Sequence, residues 1–383
     1  MESRQHRFFT PTRCIFGEGC SRQAGQRARE LNGTKALLVT DKGLITAGLC
    51  GGVLESLQAA GIETLVFDRV RENPTEENVQ EGSALIASQR IDMVLALGGG
   101  SPMDAAKAMA ALSVHEGNIL EYEYGLKPFT QQGPPVIAIP TTAGTGSEVT
   151  MGSVITDQRS HRKIDVVSQL MAPRVSLVDP ELTYSLPPAM TAATGMDALT
   201  HSIEGYTATL ASPLTDAIHL RVIELLGRYL MRAYEQGGDV EARHHVMLAS
   251  MMAGIGFPNS GLGAVHGLTL PLGGHFGIPH GTANAVMLPF VMRFNSSACS
   301  SKLADVAGAL GGKGRDSDSA IEKVFALRKA LGIPTLSSFK VPGDRLRTLA
   351  RDALGRNSNC VTNPRVMSEE DAVGVYAAAL EEA

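Results

Sequence analysis

Two apolar runs, 91–97 and 135–139, leave this chain few folds to choose from. Apart from Asp92 they carry no charge, and each has the length of a strand buried on both faces, as strands of a parallel sheet are. Each runs straight into a loop of small and hydroxylated residues. Gly98-Gly-Gly-Ser-Pro-Met-Asp104 follows the first and Pro140-Thr-Thr-Ala-Gly-Thr-Gly-Ser-Glu148 the second. Buried strands that deliver flexible loops at their carboxyl ends belong to open α/β sheets, which bind ligands in the crevice outside those ends.

The neighbouring sequence agrees. Residues 35–40 and 63–67 read as two more strands, with a helix over 47–60 between them, and 8–16 reads as a short strand or hairpin closed by Gly17-Glu-Gly19. Thr75 has the makings of a helix N-cap, with Asn78 three positions on. From about residue 186 strand-like runs stop, and Ala/Leu/Met-rich stretches with helical spacing, such as 214–232 and 240–253, take over. A polar loop over 311–318 precedes a helix over 319–331, ended by Gly332 and Pro334, and Ser368 opens a last helix with acidic residues in its first turn. The expected architecture is a doubly wound, mostly parallel α/β domain over 1–185 and an all-α domain over 186–383.

Composition narrows the function. A hydrophobic content of 44% is enough for large cores, and a net charge of −5 without any block of Lys or Arg excludes nucleic acid and anionic membranes as natural partners. Small molecules remain. The amino terminus lacks the apolar core of a signal peptide, and no run approaches the about eighteen apolar residues of a membrane span, so a cytoplasmic protein is expected. Five cysteines with no CxxC spacing fit reduced thiols.

The first loop reads as a phosphate cradle. Gly98, Gly99 and Gly100 let backbone approach a ligand, Ser101 is placed to N-cap the following helix with Pro102 at its first position, and Asp104 can reach back to free N–H groups. A tight turn without ligand reads equally well, and Met103 stands where a third glycine of G-x-G-x-x-G would be. Thr141, Thr142, Thr145 and Ser147 supply hydroxyls in the second loop. Asp41, directly after the strand at 35–40, can accept hydrogen bonds from ribose hydroxyls and repel a 2′-phosphate, which favours NAD over NADP. It can equally cap a helix.

In the second half Asp197 and His201 stand four residues apart in helical sequence, so both side chains leave one face, their β-carbons about 5–6 Å apart. A hydrogen-bonded pair on an ordinary helix and two ligands of a divalent ion are both open. Further on, His266, His275 and His280 fall in a glycine-rich, apolar segment with no other ionisable side chain. An Asp-plus-His set without cysteine suits Fe²⁺ or Zn²⁺ and argues against a structural zinc knot.

With these motifs in order over some two hundred residues, the chain resembles the iron-containing (group III) alcohol dehydrogenase family, of dehydroquinate synthase-like architecture. The resemblance implies metal ligands at Asp197, His201, His266 and His280, with Fe²⁺ preferred over Zn²⁺. It assigns the first loop to the pyrophosphate and the second to the nicotinamide side, and adds Asn73 and Lys163 as cofactor contacts. Nothing local marks those two, and Lys163 alone reads as an exposed basic residue. A homodimer acting on a small alcohol or aldehyde is implied, with hydride passing to or from nicotinamide C4 in a dry cleft between the domains.

Rival readings on the same fold are a dehydroquinate synthase-type enzyme, a maleylacetate reductase-like or hydroxy-acid dehydrogenase, and a non-catalytic nucleotide-binding assembly protein. The first wants basic residues around the metal, and 253–285 contains no Lys or Arg. The second works without a tightly held metal, and the third needs neither a full ligand set nor both loops. One departure stands out. Many family members carry a histidine four residues after the third ligand, placed for proton transfer, where this chain has Leu270. His275 is a candidate substitute, or else a structural residue in a glycine-rich turn.

Overall fold

The structure is a computed structural model and describes residues 5–160, 162–312, 314–355 and 358–382. The first four residues of the amino-terminal stretch read above, and residue 313 of the polar loop, lie outside the described residues. Two compact units divide the chain, one covering Thr10–Ser185 and the other Leu186 onward together with the chain up to Phe9. The expected 1–185 domain therefore loses its start. The Phe9 N–H donates to Asn259 Oδ1 at 2.7 Å and the Phe9 carbonyl accepts from Asn259 Nδ2 at 3.1 Å, which ties this stretch to the helical unit.

In chain order the α/β unit contains β1 (Arg13–Phe16), α1 (Ala24–Glu30), β2 (Lys35–Val39), α2 (Lys42–Thr46), α3 (Gly51–Ala59), β3 (Glu63–Phe67), α4 (Glu76–Ser88), β4 (Met93–Gly98), α5 (Gly100–Leu112), β5 (Val136–Pro140), β6 (Gly152–Asp157), β7 (Arg162–Val167) and β8 (Val175–Val178). Six strands form a parallel sheet in the order β1-β8-β5-β4-β2-β3, and β6 and β7 make a separate antiparallel ribbon. The period of two is visible along every central strand. Leu37, Val39, Val94, Ala96, Val136 and Ala138 enter one core with α4 and α5 residues, while Ala36, Leu38, Leu95, Leu97, Ile137 and Ile139 enter another with residues of α1 and α3.

After β2 the chain first pairs outward to β3 and then returns to place β4 on the other side of β2, so the winding reverses between β2 and β4. Their carboxyl ends are the switch point at which such sheets bind ligands. Three expectations need correction here. The helix read over 47–60 starts only at Gly51, as α3, and Gly48, with φ of 74°, turns the chain between it and the separate short helix α2. The strand or hairpin at 8–16 shrinks to β1, paired with β8. The ribbon was not anticipated, since its Ser, Thr, Asp, Arg and Lys residues lack the apolar signature of a buried strand.

The helical unit contains α6 (Pro188–Thr207), α7 (Pro213–Glu235), α8 (Val240–Ser260), α9 (Ala264–Phe276), α10 (His280–Asn295), α11 (Ser300–Ala309), α12 (Ser317–Ala330), α13 (Leu346–Ala353) and α14 (Glu369–Leu380). Helix α6 is buried all round from Gly195 to Thr207 and packs on α7, α8 and α10. A helix without a polar face belongs in a core. Ser212 and Thr215 form a buried capping box at α7, and Ser368 and Asp371 form an exposed one at α14. Among the described residues no helix is long and apolar enough to cross a membrane.

Candidate active site

Asp197 and His201 occupy successive turns of α6, His266 the first turn of α9 and His280 the first position of α10. Asp197, His201 and His266 are each no more than 4% exposed, and one ligating atom of each lies within 4.8 Å of the others. His280 Nε2 stands 3.7 Å from Asp197 Oδ1. The His201 and His266 rings stack at 4.6 Å, and His201 also stacks on Phe257 at 4.5 Å. Helix α10 reaches α6 because the residue after His280 is glycine: a β-carbon at Gly281 would come 2.5 Å from the Ala193 carbonyl oxygen. Burial alone would raise the pKa of Asp197, but His201, His280, His266 and the Asn284 amide outweigh it and hold the carboxyl below its usual range.

Glu204 and Asn284 complete this cluster, and sequence reasoning missed both. Glu204, one turn beyond His201, accepts from His266 Nδ1 at 2.5 Å and from the Val265 N–H at 2.6 Å. A carboxylate behind an imidazole fixes its tautomer and turns the other ring nitrogen's lone pair forward. Asn284, four residues after His280, donates to Asp197 Oδ1 at 2.7 Å. The signal for both was helical spacing from a candidate ligand, the same signal that pairs Asp197 with His201. One carboxylate and three imidazoles, all buried except the half-buried His280 and with His266 oriented from behind, are a donor set that fits Fe²⁺ or Zn²⁺.

His275 is not brought to this cluster. It lies in the last turn of α9 rather than in a loop, about 13 Å along the helix and half a turn round from His266. Its Nε2 contacts Asp352 Oδ2 at 2.7 Å. Leu270, one turn beyond His266, is half-buried within an otherwise buried stretch of α9.

The other expected site residues all lie in the α/β unit. Gly98 leaves β4 with φ of 152°, and the Thr141 N–H donates to its carbonyl at 2.9 Å, which joins the two loops. The glycines serve this closure. A β-carbon on Gly99 would meet Thr142 Cγ2 at 3.3 Å, and one on Gly100 would meet Thr145 Cγ2 at 3.0 Å. The helix begins at Gly100 with Gly99 as N-cap and no side chain bonded there, so Ser101 is not the cap and Pro102 is not the first residue. Peptide N–H groups of an uncapped first turn are what a phosphate takes.

Asp104 does not reach back to its own helix either. It accepts from Ser147 Oγ at 2.6 Å and from the Val154 N–H at 2.9 Å. Lys107, 1% exposed, pins the arrangement: its Nζ lies 3.2 Å from Asp104 Oδ1 and donates to Ser147 Oγ at 2.7 Å, the Ser147 carbonyl, Thr150 Oγ1 and the Gly152 carbonyl. Burial pulls the Lys107 pKa down, with Asp104 and Glu148 opposing, while burial pushes Glu148 up to about 7. This pin escaped sequence reasoning because a lysine in an alanine-rich helix looks solvated.

Asp41 caps α2, its Oδ1 accepting from the Leu44 N–H at 3.0 Å, at the carboxyl end of β2. Asn73 sits in left-handed backbone with φ of 58°. Lys163 is half-buried on β7, contrary to the exposed residue expected, and burial lowers its pKa against the opposing fields of Glu72, Asp104 and Asp165. The ribbon brings these two together: Thr156 pairs with Lys163 across it, and the Thr156 N–H donates to the Pro74 carbonyl at 2.8 Å.

Comparison with known proteins accords with this geometry. The model of iron-containing alcohol dehydrogenase matches residues 11–180, and that of the Fe-containing alcohol dehydrogenase family, C-terminal, matches 191–380. The chain is 39% identical to 1,3-propanediol dehydrogenase of Klebsiella pneumoniae, over 98% of this chain and 99% of that one. A crystal structure of 1,3-propanediol oxidoreductase superposes with a TM-score of 0.95 at 39% identity, covering 98% of this chain and 100% of the other. Sulfoacetaldehyde reductase from Bifidobacterium kashiwanohense, solved in complex with NAD⁺, gives a TM-score of 0.91 at 30% identity, over 99% and 100% of the two chains. With both halves matched and the ligand cluster assembled, the chain belongs to the iron-containing alcohol dehydrogenase family.

Proposed function

We propose that this oxidoreductase interconverts a short alcohol and its aldehyde with NAD, and that Asp197, His201, His266 and His280 hold the divalent ion the reaction needs. The observation that carries the reading is the buried cluster of Asp197, His201 and His266, with the half-buried His280 3.7 Å from Asp197 and Glu204 behind His266. A bound ion, for which we take Fe²⁺ ahead of Zn²⁺, supplies a Lewis acid that polarises the alcohol or carbonyl oxygen. The protein's own residues do the rest. The ligand residues place that oxygen, and Leu270 offers an apolar wall one turn beyond His266. The loops Gly98–Asp104 and Thr141–Ser147 hold the pyrophosphate and nicotinamide sides of the cofactor, with Asn73 and Lys163 beside them. Asp41 accepts from the ribose and repels a 2′-phosphate, so NAD is preferred to NADP.

Relatives named for 1,3-propanediol and sulfoacetaldehyde act on short molecules with a second polar group, and we extend that class to this protein. We take a cytoplasmic homodimer as its working form. The test is a panel of short diols, simple and long-chain alcohols and the matching aldehydes, run with NAD(H) and NADP(H) on protein of known metal content. Metal-dependent turnover with NAD(H), best on the short polar members, is expected. Full turnover by metal-free protein would instead favour a maleylacetate reductase-like enzyme.

A further inference from the structure

Asn284 is fully buried, and its amide nitrogen stands among the ligand atoms: 2.7 Å from Asp197 Oδ1, 3.1 Å from His266 Nε2 and 3.1 Å from His280 Nε2. The orientation of the amide is decided by chemistry. A carboxylate only accepts, so the NH₂ faces Asp197, and the Asn284 oxygen accepts from Thr269 Oγ1 at 2.6 Å, which holds the amide in place. Two N–H groups thus face three acceptors, all of them atoms the family reading assigns to an ion. Glu204 works from the far side: by accepting from His266 Nδ1 it leaves the Nε2 lone pair pointing at the amide.

We infer that Asn284 is a positioning residue that stands in for the cation while the site is empty of metal. Resting on the four-residue ligand set proposed above, the inference makes loading an exchange in which an ion takes the lone pairs that the amide hydrogens had satisfied. Without such a donor, the buried Asp197 carboxylate would lose a hydrogen bond on the face it turns toward the two imidazoles, which is costly in a low-dielectric interior. The amide keeps the pocket assembled and both Nε2 atoms aimed inward, so a metal meets its ligands already arranged.

The role separates from ordinary packing because it acts on one form of the protein only. Asn284→Ala should lower the melting temperature of the metal-free chain by several degrees and that of the Zn²⁺-loaded chain by much less. By linkage it should tighten Zn²⁺ binding, on the order of tenfold, measured against a competing chelator. Asn284→Asp, which exchanges the donor for a second carboxylate, should destabilise the metal-free chain further and be rescued by Zn²⁺ to a greater degree than the wild type. Should the variants fail to fold without metal, ¹⁵N spectra of histidine-labelled wild type decide: His266 and His280 should both be Nδ1–H tautomers in the metal-free protein. Equal losses of melting temperature in both forms with weaker Zn²⁺ binding, or a protonated His280 Nε2, would overturn the inference. Absence of stoichiometric metal binding by the wild type would instead sink the ligand assignment itself.

Discussion

The two units present their candidate binding groups on opposite plans. In the helical unit the proposed ligands are side chains, Asp197, His201, His266 and His280, each fixed on a helix, with Glu204 behind His266 and Asn284 against Asp197, His266 and His280. In the α/β unit the proposed cofactor groups are backbone, in two glycine- and threonine-rich loops closed against each other and pinned by Asp104, Lys107 and Ser147. A side-chain site fails when its own residues change. A backbone site tolerates change along its lining but depends on the residues that hold the loops from behind, and those need touch no ligand.

The sharpest expected effect is on the side-chain half. His266→Ala removes a ligand and leaves Glu204 without the ring it orients, so most bound metal should go. Turnover should drop by about 10³-fold or more, since the ion's charge stabilisation is worth several kcal/mol. Metal analysis and kcat measured together check this, and stoichiometric metal with full turnover would show that the cluster is not the site. The affinity of the cofactor loops for NAD should barely move.

Lys107→Met is the matching test on the backbone half. The methionine fills much the same space but leaves Asp104 without its cation and takes a charged donor away from the Ser147 and Gly152 carbonyls. Removing one partner of a buried pair costs about 3 kcal/mol or more, readable as a lower urea midpoint. With the loops no longer held, NAD affinity should fall as well, while metal content stays at the wild-type level. A variant that binds NAD normally would mean that the loops hold their shape without the pin.

The two halves should also answer pH in opposite directions. His219 on α7 is fully buried between Ser202 and Ser260, and burial, helped by His201 and Lys302, pushes its pKa down from 6.5 to about 3. Unfolding lets it take a proton, so its stabilising effect is complete above pH 6.5 and is lost as pH falls from 6.5 toward 3, by up to about 1.4 kcal/mol per pH unit. Glu148 behaves in the reverse sense. Its pKa is raised from 4.5 to about 7, so its contribution is present below pH 4.5 and is lost as pH climbs through 7. Urea unfolding across pH should show His219→Gln flattening the acid limb and Glu148→Gln flattening the neutral one. If either variant left its limb unchanged, that residue would not be the titrating group.

The same contrast explains how far the sequence could be read. Central strands such as β2, β4 and β5 were legible because burial on both faces writes itself as an uninterrupted apolar run. The clustering of Asp197, His201 and His266 was legible because few side chains suit Fe²⁺ or Zn²⁺, and the helical spacing of Asp197 and His201 puts them on one face. What stayed hidden depends on partners distant in sequence. Lys107 meets Ser147 across forty residues and Glu204 meets His266 across sixty-two, and neither spacing has a local signature. Ser101 was misread because a serine before a proline resembles a cap, whereas the helix starts two residues earlier, where Gly99 and Gly100 close against Thr142 and Thr145. His275 was misread because glycines on both sides suggested a turn, while α9 carries its helical hydrogen bonding through them to Phe276.

The smallest expected effect falls on Asp41, where the two plans meet in one carboxylate. Its Oδ1 caps α2 through the Leu44 N–H, but an ionised carboxylate offers about four lone-pair positions, so capping leaves capacity for a ribose hydroxyl. Asp41→Gly removes both functions unequally. As an N-cap, glycine costs only a few tenths of a kcal/mol relative to Asp, and the fold should register almost nothing. The cofactor should register more, because losing the charge removes an acceptor for the ribose and a repulsion against a 2′-phosphate at the switch point beside β4. The ratio of kcat/KM for NAD to that for NADP should therefore fall by about tenfold, the equivalent of one lost hydrogen bond to a charged group, while metal content and melting temperature stay put. An unchanged ratio with a measurable loss of stability would make Asp41 a helix cap alone, and cofactor choice would then rest with backbone and loop residues, as the rest of that half does.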